Sequence, residues 1–217
     1  SSLVNTLLIF LDEIKDENIM DIEKQLISMN KKEVVLLEAK GIDSIIHKRN
    51  LAFSLINRYN INVIKGTKEE INTLIALQNK EENINFNYRG FAKRNNCVLI
   101  IEGEKYYITD GYNEFYIKNK NKYFTDEEFI DNVYTGMIAS SIGICNNKSE
   151  IVQAILISTL SFYIAQKNSI GMIKKQLDNS NYENNIKLIN EYLLEEISKI
   201  DAKKIKEYGD IEYYFKR

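Results

Sequence analysis

The 217-residue sequence has no proline or tryptophan, one histidine and two cysteines. A histidine-based catalytic triad would have to use His47, and neither a Gly-x-Ser-x-Gly elbow nor another nucleophile setting accompanies it; it reads as a loop residue. Cys97 and Cys145 are not neighbours, so with one histidine a structural zinc site is not expected. Both lie in apolar segments, where free thiols act as small core residues in a reducing compartment. The missing proline and tryptophan, beside abundant Asn, Lys and Ile, reflect compositional drift and imply no function.

There is no excess of one charge. With 29 basic and 31 acidic residues the formal charge is −2, and lysines are interleaved with carboxylates, so no footprint for nucleic acid appears. No apolar run reaches the length of a bilayer span; Ile151 to Ala165, the strongest, is too short and carries Gln153, Ser158, Thr159 and Ser161. Neither a membrane anchor nor a secretory signal is evident, and a cytoplasmic protein without membrane or nucleic-acid partners is expected. A Walker A sequence is also absent.

What is present is an alternation. Short apolar runs, Leu7 to Leu11, Val34 to Ala39, Asn62 to Lys65 and Cys97 to Glu102, are separated by segments of helical period. Ile19, Ile22, Leu26 and Met29 share one helical face, and Leu51, Leu55 and Ile56 mark another. Thr67 and Glu70 form a capping box for a helix to about Gln78. Tyr106 to Thr109 and Glu114 to Lys118 read as strands joined at Asp110-Gly111, a hairpin expected at one sheet edge. From Asp126 the chain reads as helical. Ile151 to Ile164 forms a buried helix, a final amphipathic helix carries Ile186, Ile189, Leu193 and Ile197, and a polar tail runs to Arg217. The expected fold is a single α/β domain over residues 1–217, three-layered, with a mostly parallel sheet and helices on both faces.

Several segments carry a resemblance. Asn62-Val-Ile-Lys-Gly-Thr-Lys-Glu-Glu-Ile71 is similar to a strand-to-helix junction of hydroxyethylthiazole kinases, keeping Lys65, Gly66 and Glu70 with Thr67 where that family has Asn. Val98-Leu-Ile-Ile-Glu-Gly-Glu104 and Ile108-Thr-Asp-Gly111 resemble its next strand and hairpin. Val34 to Gly41 resembles the strand that ends in its Asp-Pro-Val-Gly. Val133-Tyr-Thr-Gly136 stands in the place of its Thr-Gly-x-Gly-Cys anion hole. The resemblance runs from Leu7 to about Ile200 and implies a ribokinase-like fold.

It also implies an activity: transfer of the γ-phosphoryl group of ATP, with Mg²⁺, to the hydroxyethyl group of thiazole in thiamine salvage. The implied partners are ATP and a thiazole alcohol, and the implied assembly is a homo-oligomer, a trimer. By the same resemblance Gly136 and Ala139 occupy catalytic positions, Lys65, Thr67, Glu70, Glu102 and Gly103 the nucleotide positions, and Glu70, Asp126 and Asp131 candidate metal positions.

The bland readings are that Glu70 caps a helix, that Lys65 is a solvated surface lysine, and that Asp126, Glu127, Glu128 and Asp131 merely favour a helix N-terminus. The departures are also definite. Glu102 replaces a threonine near nucleotide phosphate, Glu38-Ala39 replaces Asp-Pro, Phe10-Leu-Asp-Glu13 replaces Asn-Ile-Gly-Thr, and Met137, Ile138 and Ala139 follow Gly136 where a small residue, Gly and the Cys base are required. The chain also begins beyond a strand and helices of the family's thiazole pocket, as a fragment or as a protein that has lost them. The rival expectation is therefore a kinase-like binding or interaction protein without catalysis.

Overall fold

The structure, a computed structural model, describes residues 5–30, 33–78, 87–119, 124, 126–176 and 186–215. Its frame is a seven-stranded sheet in the order of the chain: β1 (Thr6–Phe10), β2 (Val34–Glu38), β3 (Val63–Thr67), β4 (Val98–Glu102), β5 (Lys105–Thr109), β6 (Asn113–Lys118) and β7 (Ile211–Phe215). The first four strands are parallel, and β5, β6 and β7 each join their predecessor antiparallel.

The apolar runs become strands because both faces of this sheet are covered. A strand buried on both sides needs no polar alternate positions, and its successive side chains serve two different cores. Val35, Leu37, Ile64, Leu99 and Ile101 pack in one core with residues of α1 (Asp16–Ser28), α2 (Ile46–Arg58), α3 (Lys68–Gln78) and α4 (Tyr88–Arg94). Val34, Leu36, Val63, Val98 and Ile100 pack in the other with α5 (Glu127–Ile142), α6 (Lys148–Gln176) and α7 (Ile186–Ser198). The expected three layers are present.

The structure corrects four local expectations. The stretch read as a polar tail contains α8 (Ala202–Tyr208), capped by Asp201 accepting from the Lys204 amide, and β7. Because β7 pairs outside β6, the hairpin lies inside the sheet and does not form its edge. Helix α4 was missed; its seven residues are too few for a periodic signal, and only the Asn87 side chain, accepting from the Gly90 amide, marks its start. His47 stands in the first turn of α2, 3.4 Å from Asp16, rather than in a loop. The side chain of Ile186 and residues 216–217 lie outside the described residues.

Other expectations hold in detail. Both cysteines are free and buried, and burial pushes the Cys97 thiol up to about 12, so it stays protonated and inert. At the hairpin, Gly111 has φ +92°, and any Cβ there would lie 2.7 Å from the Lys93 nitrogen in α4. Asp110 locks the turn by accepting from the amides of Tyr112 and Asn113.

Candidate active site

A cleft of about 620 Å³ opens at the carboxyl ends of β2, β3 and β4, against the start of α5. Parallel α/β sheets bind ligands in this position, since the strand ends and following loops leave side chains there that the cores do not consume. Its floor follows from strand periodicity. Glu38, Lys65 and Glu102 are each two residues beyond Leu36, Val63 and Ile100, which face the α5 core. All three side chains therefore point toward α5, and Glu38 and Lys65 are direct cross-strand partners.

Helix α5 supplies the fourth group. The Lys65 Nζ lies 2.9 Å from Glu38 Oε2, 3.1 Å from Glu102 Oε2 and 2.5 Å from Asp131 Oδ1. Lys65 is fully buried, with its Nζ also 5.5 Å from the centre of the Tyr134 ring. That ring is stacked on Phe162 and bonded through its hydroxyl to Thr159 at 2.8 Å. One turn from Asp131, the Thr135 hydroxyl donates to Glu38 Oε2 at 3.0 Å. The surface-lysine reading is thus overturned: the β3 register turns Lys65 inward, and it survives burial because carboxylates surround it.

The protonation states follow from burial and charge together. Burial alone would lower the Lys65 pKa, but Glu102, Glu38 and Asp131 outweigh it and hold the ammonium well above the ordinary lysine range. Burial raises Glu38 to about 8 despite the attraction of Lys65, and Glu102 is raised for the same reason. At neutral pH Glu38 is therefore largely protonated. Its Oε2 accepts from Thr135 and faces Lys65.

A pH prediction follows. Folding raises the Glu38 pKa above its unfolded value, so the folded state binds the extra proton, and stability present below pH 4.5 is lost as pH rises through 8. Lys65, also raised, acts only above its ordinary range and lies outside that window. Urea denaturation of the wild type should show stability falling by on the order of 2 kcal/mol between pH 5 and 8. Glu38→Gln should reduce that slope, leaving the part that Glu102, also raised, contributes with the same sign. An unchanged slope in the variant would place the titration elsewhere.

The upper walls use residues named from the sequence. Thr67, Glu70, Glu102 and Gly103 all line the cleft. Glu70 closes the expected capping box, its Oε2 accepting from the Thr67 amide at 2.8 Å while its amide meets the Thr67 hydroxyl at 3.3 Å. Its Oε1 accepts from the Gly41 amide at 2.8 Å, so one carboxylate ties the β2 and β3 exit loops together. Gly66 permits this, since a Cβ there would lie 3.0 Å from Glu70 Oε2 and 3.2 Å from the Ala39 Cβ.

Three predicted positions fall away from the cleft's lining. Asp126 caps α5, accepting from the Phe129 amide and from Asn190 Nδ2. Gly136 and Ala139 sit inside α5, which begins nine residues before Gly136; the Ala139 carbonyl accepts from Thr6, at the opposite end of β1. The helix expected from Asp126 is present, and the apolar face that packs on the sheet, Ile130, Tyr134, Ile138 and Ile142, continues through Gly136, so the family's anion-hole arrangement at a helix N-terminus is not formed at that glycine. The helix start that does face the cleft carries Glu127 and Glu128.

Sequence reasoning missed Glu38 as a floor group and Lys40 altogether. Lys40 lines the cleft, its Nζ 3.9 Å from Asp131 Oδ2 and 3.7 Å from Asp12 Oδ2. It is 39% exposed where Lys65 is sealed, so among the described residues lining the cleft it is the cation open to solvent. The period of β2 could have revealed Glu38, because a carboxylate closing a doubly buried run must meet a cation.

A three-layer α/β sheet with its cleft at the parallel strand ends places the protein among the open α/β domains that bind ligands there. Among solved structures, a hydroxyethylthiazole kinase protein from Pyrococcus horikoshii OT3 superposes with a TM-score of 0.77 at 16% identity, covering 98% of this chain and 78% of that one. A hypothetical protein from Streptococcus mutans gives 0.53 at 13% identity, over 90% of this chain and 66% of its own. The chain belongs to the hydroxyethylthiazole kinase family, whose profile matches residues 2–201. Hydroxyethylthiazole kinases of two Limosilactobacillus reuteri strains, DSM 20016 and JCM 1112, are each 25% identical over 185 residues, 78% of this chain. The match spans 66% of those relatives' length, just under two thirds.

Proposed function

We propose that the protein transfers the γ-phosphoryl group of ATP to the primary hydroxyl of hydroxyethylthiazole, a step of thiamine salvage. The observation that carries the reading is the 620 Å³ cleft at the carboxyl ends of β2–β4, in a chain of this family. Phosphoryl transfer asks a protein mainly to position two substrates and to balance charge, which a cleft with fixed walls does without a covalent intermediate. Thr67, Glu70 and Gly103 form the nucleotide end, and Lys40 meets phosphate oxygens. Glu70 acts there by fixing two exit loops through their amides.

With Ala139 outside the cleft, the hydroxyl proton passes to Asp131, which lines the cleft with its side chain 20% exposed. The oxygen so freed attacks the γ-phosphorus, the bond to the β-γ bridging oxygen breaks, and ADP leaves. Magnesium supplies charge neutralisation as the nucleotide's own counter-ion. The protein acts as a cytoplasmic homo-oligomer, a trimer by family resemblance, with residues 1–217 forming one domain.

Calorimetric titration with Mg-ATP and then hydroxyethylthiazole tests the reading, followed by a turnover assay. Saturable binding of both with formation of the phosphate ester is expected. A folded protein that binds neither sinks the proposal. A related test addresses the anion-hole alignment: Ala139→Cys should leave nucleotide affinity unchanged. Ile138→Gly should cost about 4 kcal/mol of stability, because Ile138 is fully buried. A gain in nucleotide affinity from either would restore these positions to the site.

A further inference from the structure

Glu38, Glu102 and Asp131 each direct a carboxylate oxygen to one point, the oxygens lying within 4.8 Å of one another, as the ligands of a divalent cation would. The point is already taken. Lys65 Nζ lies between the three, 2.5 to 3.1 Å from one oxygen of each. An ammonium has three N–H donors and here has three carboxylate partners, so its hydrogen bonding is complete. A magnesium ion would need oxygens at about 2.0–2.1 Å around the same focus, which would press it against a like charge. The side chain has nowhere to withdraw, being fully buried with the Tyr134 ring beside it.

We infer that the Lys65 ammonium is a built-in cation that replaces a resident metal at the cleft floor. This goes beyond the kinase reading and stands without it, since it concerns the protein alone. The floor as built does not fit the magnesium ion that the family implies, and any ion the protein uses must arrive with a ligand and sit higher in the cleft. The device keeps a positive charge at the floor whatever the free ion concentration, whereas a resident metal would be lost and regained with it. Thr135, donating to Glu38, and Tyr134, lying beside the ammonium, are the positioning residues of the arrangement.

The test is titration of Mn²⁺, without nucleotide, into the wild type, Lys65→Ala and Asp131→Asn, read by Mn²⁺ paramagnetic resonance and by melting temperature. The wild type is expected to bind no stoichiometric Mn²⁺ and to show no metal-dependent rise in melting temperature. Lys65→Ala opens a three-carboxylate site and is expected to bind one Mn²⁺ at least about a hundredfold more tightly, with a marked rise in melting temperature. A folded Lys65→Ala that binds no Mn²⁺ overturns the inference. So does a wild type that binds one Mn²⁺ and loses it in Asp131→Asn. If Lys65→Ala does not fold even with Mn²⁺, the wild-type and Asp131→Asn titrations decide alone: absence of stoichiometric binding in the wild type supports the built-in cation. Each outcome is independent of whether the protein phosphorylates anything.

Discussion

Replacing Lys65 with methionine is expected to destabilise the protein by about 3–5 kcal/mol, more than any substitution at the cleft rim. Methionine matches the length and apolar stem of lysine, so packing between β2, β4 and α5 changes little and the loss isolates the charge. Without the ammonium, Glu38, Glu102 and Asp131 face one another across less than 5 Å in a place where Glu38 is almost sealed from water and the other two are only partly exposed. The folded state can relieve this only by taking up protons. The variant should therefore be least impaired near pH 5 and most impaired near pH 8, a steeper dependence than in the wild type. Urea denaturation at the two pH values measures both effects. A loss below about 1 kcal/mol at pH 8 would mean that water reaches the carboxylates and screens them, contrary to the burial of Glu38 at 1% exposure.

This dependence on one buried lysine also shows where sequence reading succeeds and where it stops. The four parallel strands were legible because doubly buried strands write uninterrupted apolar runs, and α6 because it is apolar on most sides. Thr67 and Glu70 were legible as a capping box because that motif is local, three residues apart, and the structure bears it out while adding a bond to Gly41 from a different loop. The floor was not legible as a unit. Its members are separated by 27, 37 and 29 residues along the chain, and only the lateral alignment of β2, β3 and β4 brings them together. Lys65 carried two readings, a nucleotide position by resemblance and a solvated lysine because a lysine at a strand end usually is one, and neither put it in a buried ion cluster. That outcome depends on which face the strand's register assigns to it.

The helix that closes the cleft starts at Asp126, as its sequence reads, but the role of Gly136 within it was less legible. Gly136 looked like a relic of a glycine-rich turn, yet a Cβ there would meet nothing within 4 Å outside its own helix, so this glycine is required neither by close approach nor by a positive φ. It is one position in a helix whose start is fixed upstream by Asp126 and whose buried face runs past it. A resemblance anchored on a single glycine therefore puts the anion-hole position inside the helix, nine residues past its first residue. Under the kinase function we propose, the acceptor of the hydroxyl proton is therefore Asp131, which lines the cleft, and not Ala139, which has no proton chemistry.

Glu102→Thr is expected to tighten the binding of Mg-ATP by roughly tenfold to a hundredfold. Among the described residues lining the cleft, seven of thirteen are acidic and Lys40 is the single basic one, so a polyphosphate meets a negative field from these groups. Glu102 ends β4 beside Gly103, the position that the family resemblance assigns to the nucleotide. A charge about 6 Å from a phosphate oxygen at an effective dielectric near 20 contributes about 3 kcal/mol of repulsion, reduced by ionic screening to the range stated. Part of the Glu102 charge is already opposed by Lys65 at 3.1 Å, and its raised pKa reflects how reluctantly the buried group ionises. The substitution also frees one donor of Lys65, which the threonine hydroxyl can accept in part, so a stability loss of about 1 kcal/mol should accompany the gain. Calorimetric titration at two ionic strengths separates the cases. A gain that shrinks with added salt identifies charge as the cause. Unchanged affinity would place the phosphates away from the β4 end, and weaker binding would show that Glu102 is itself a ligand for the nucleotide's magnesium.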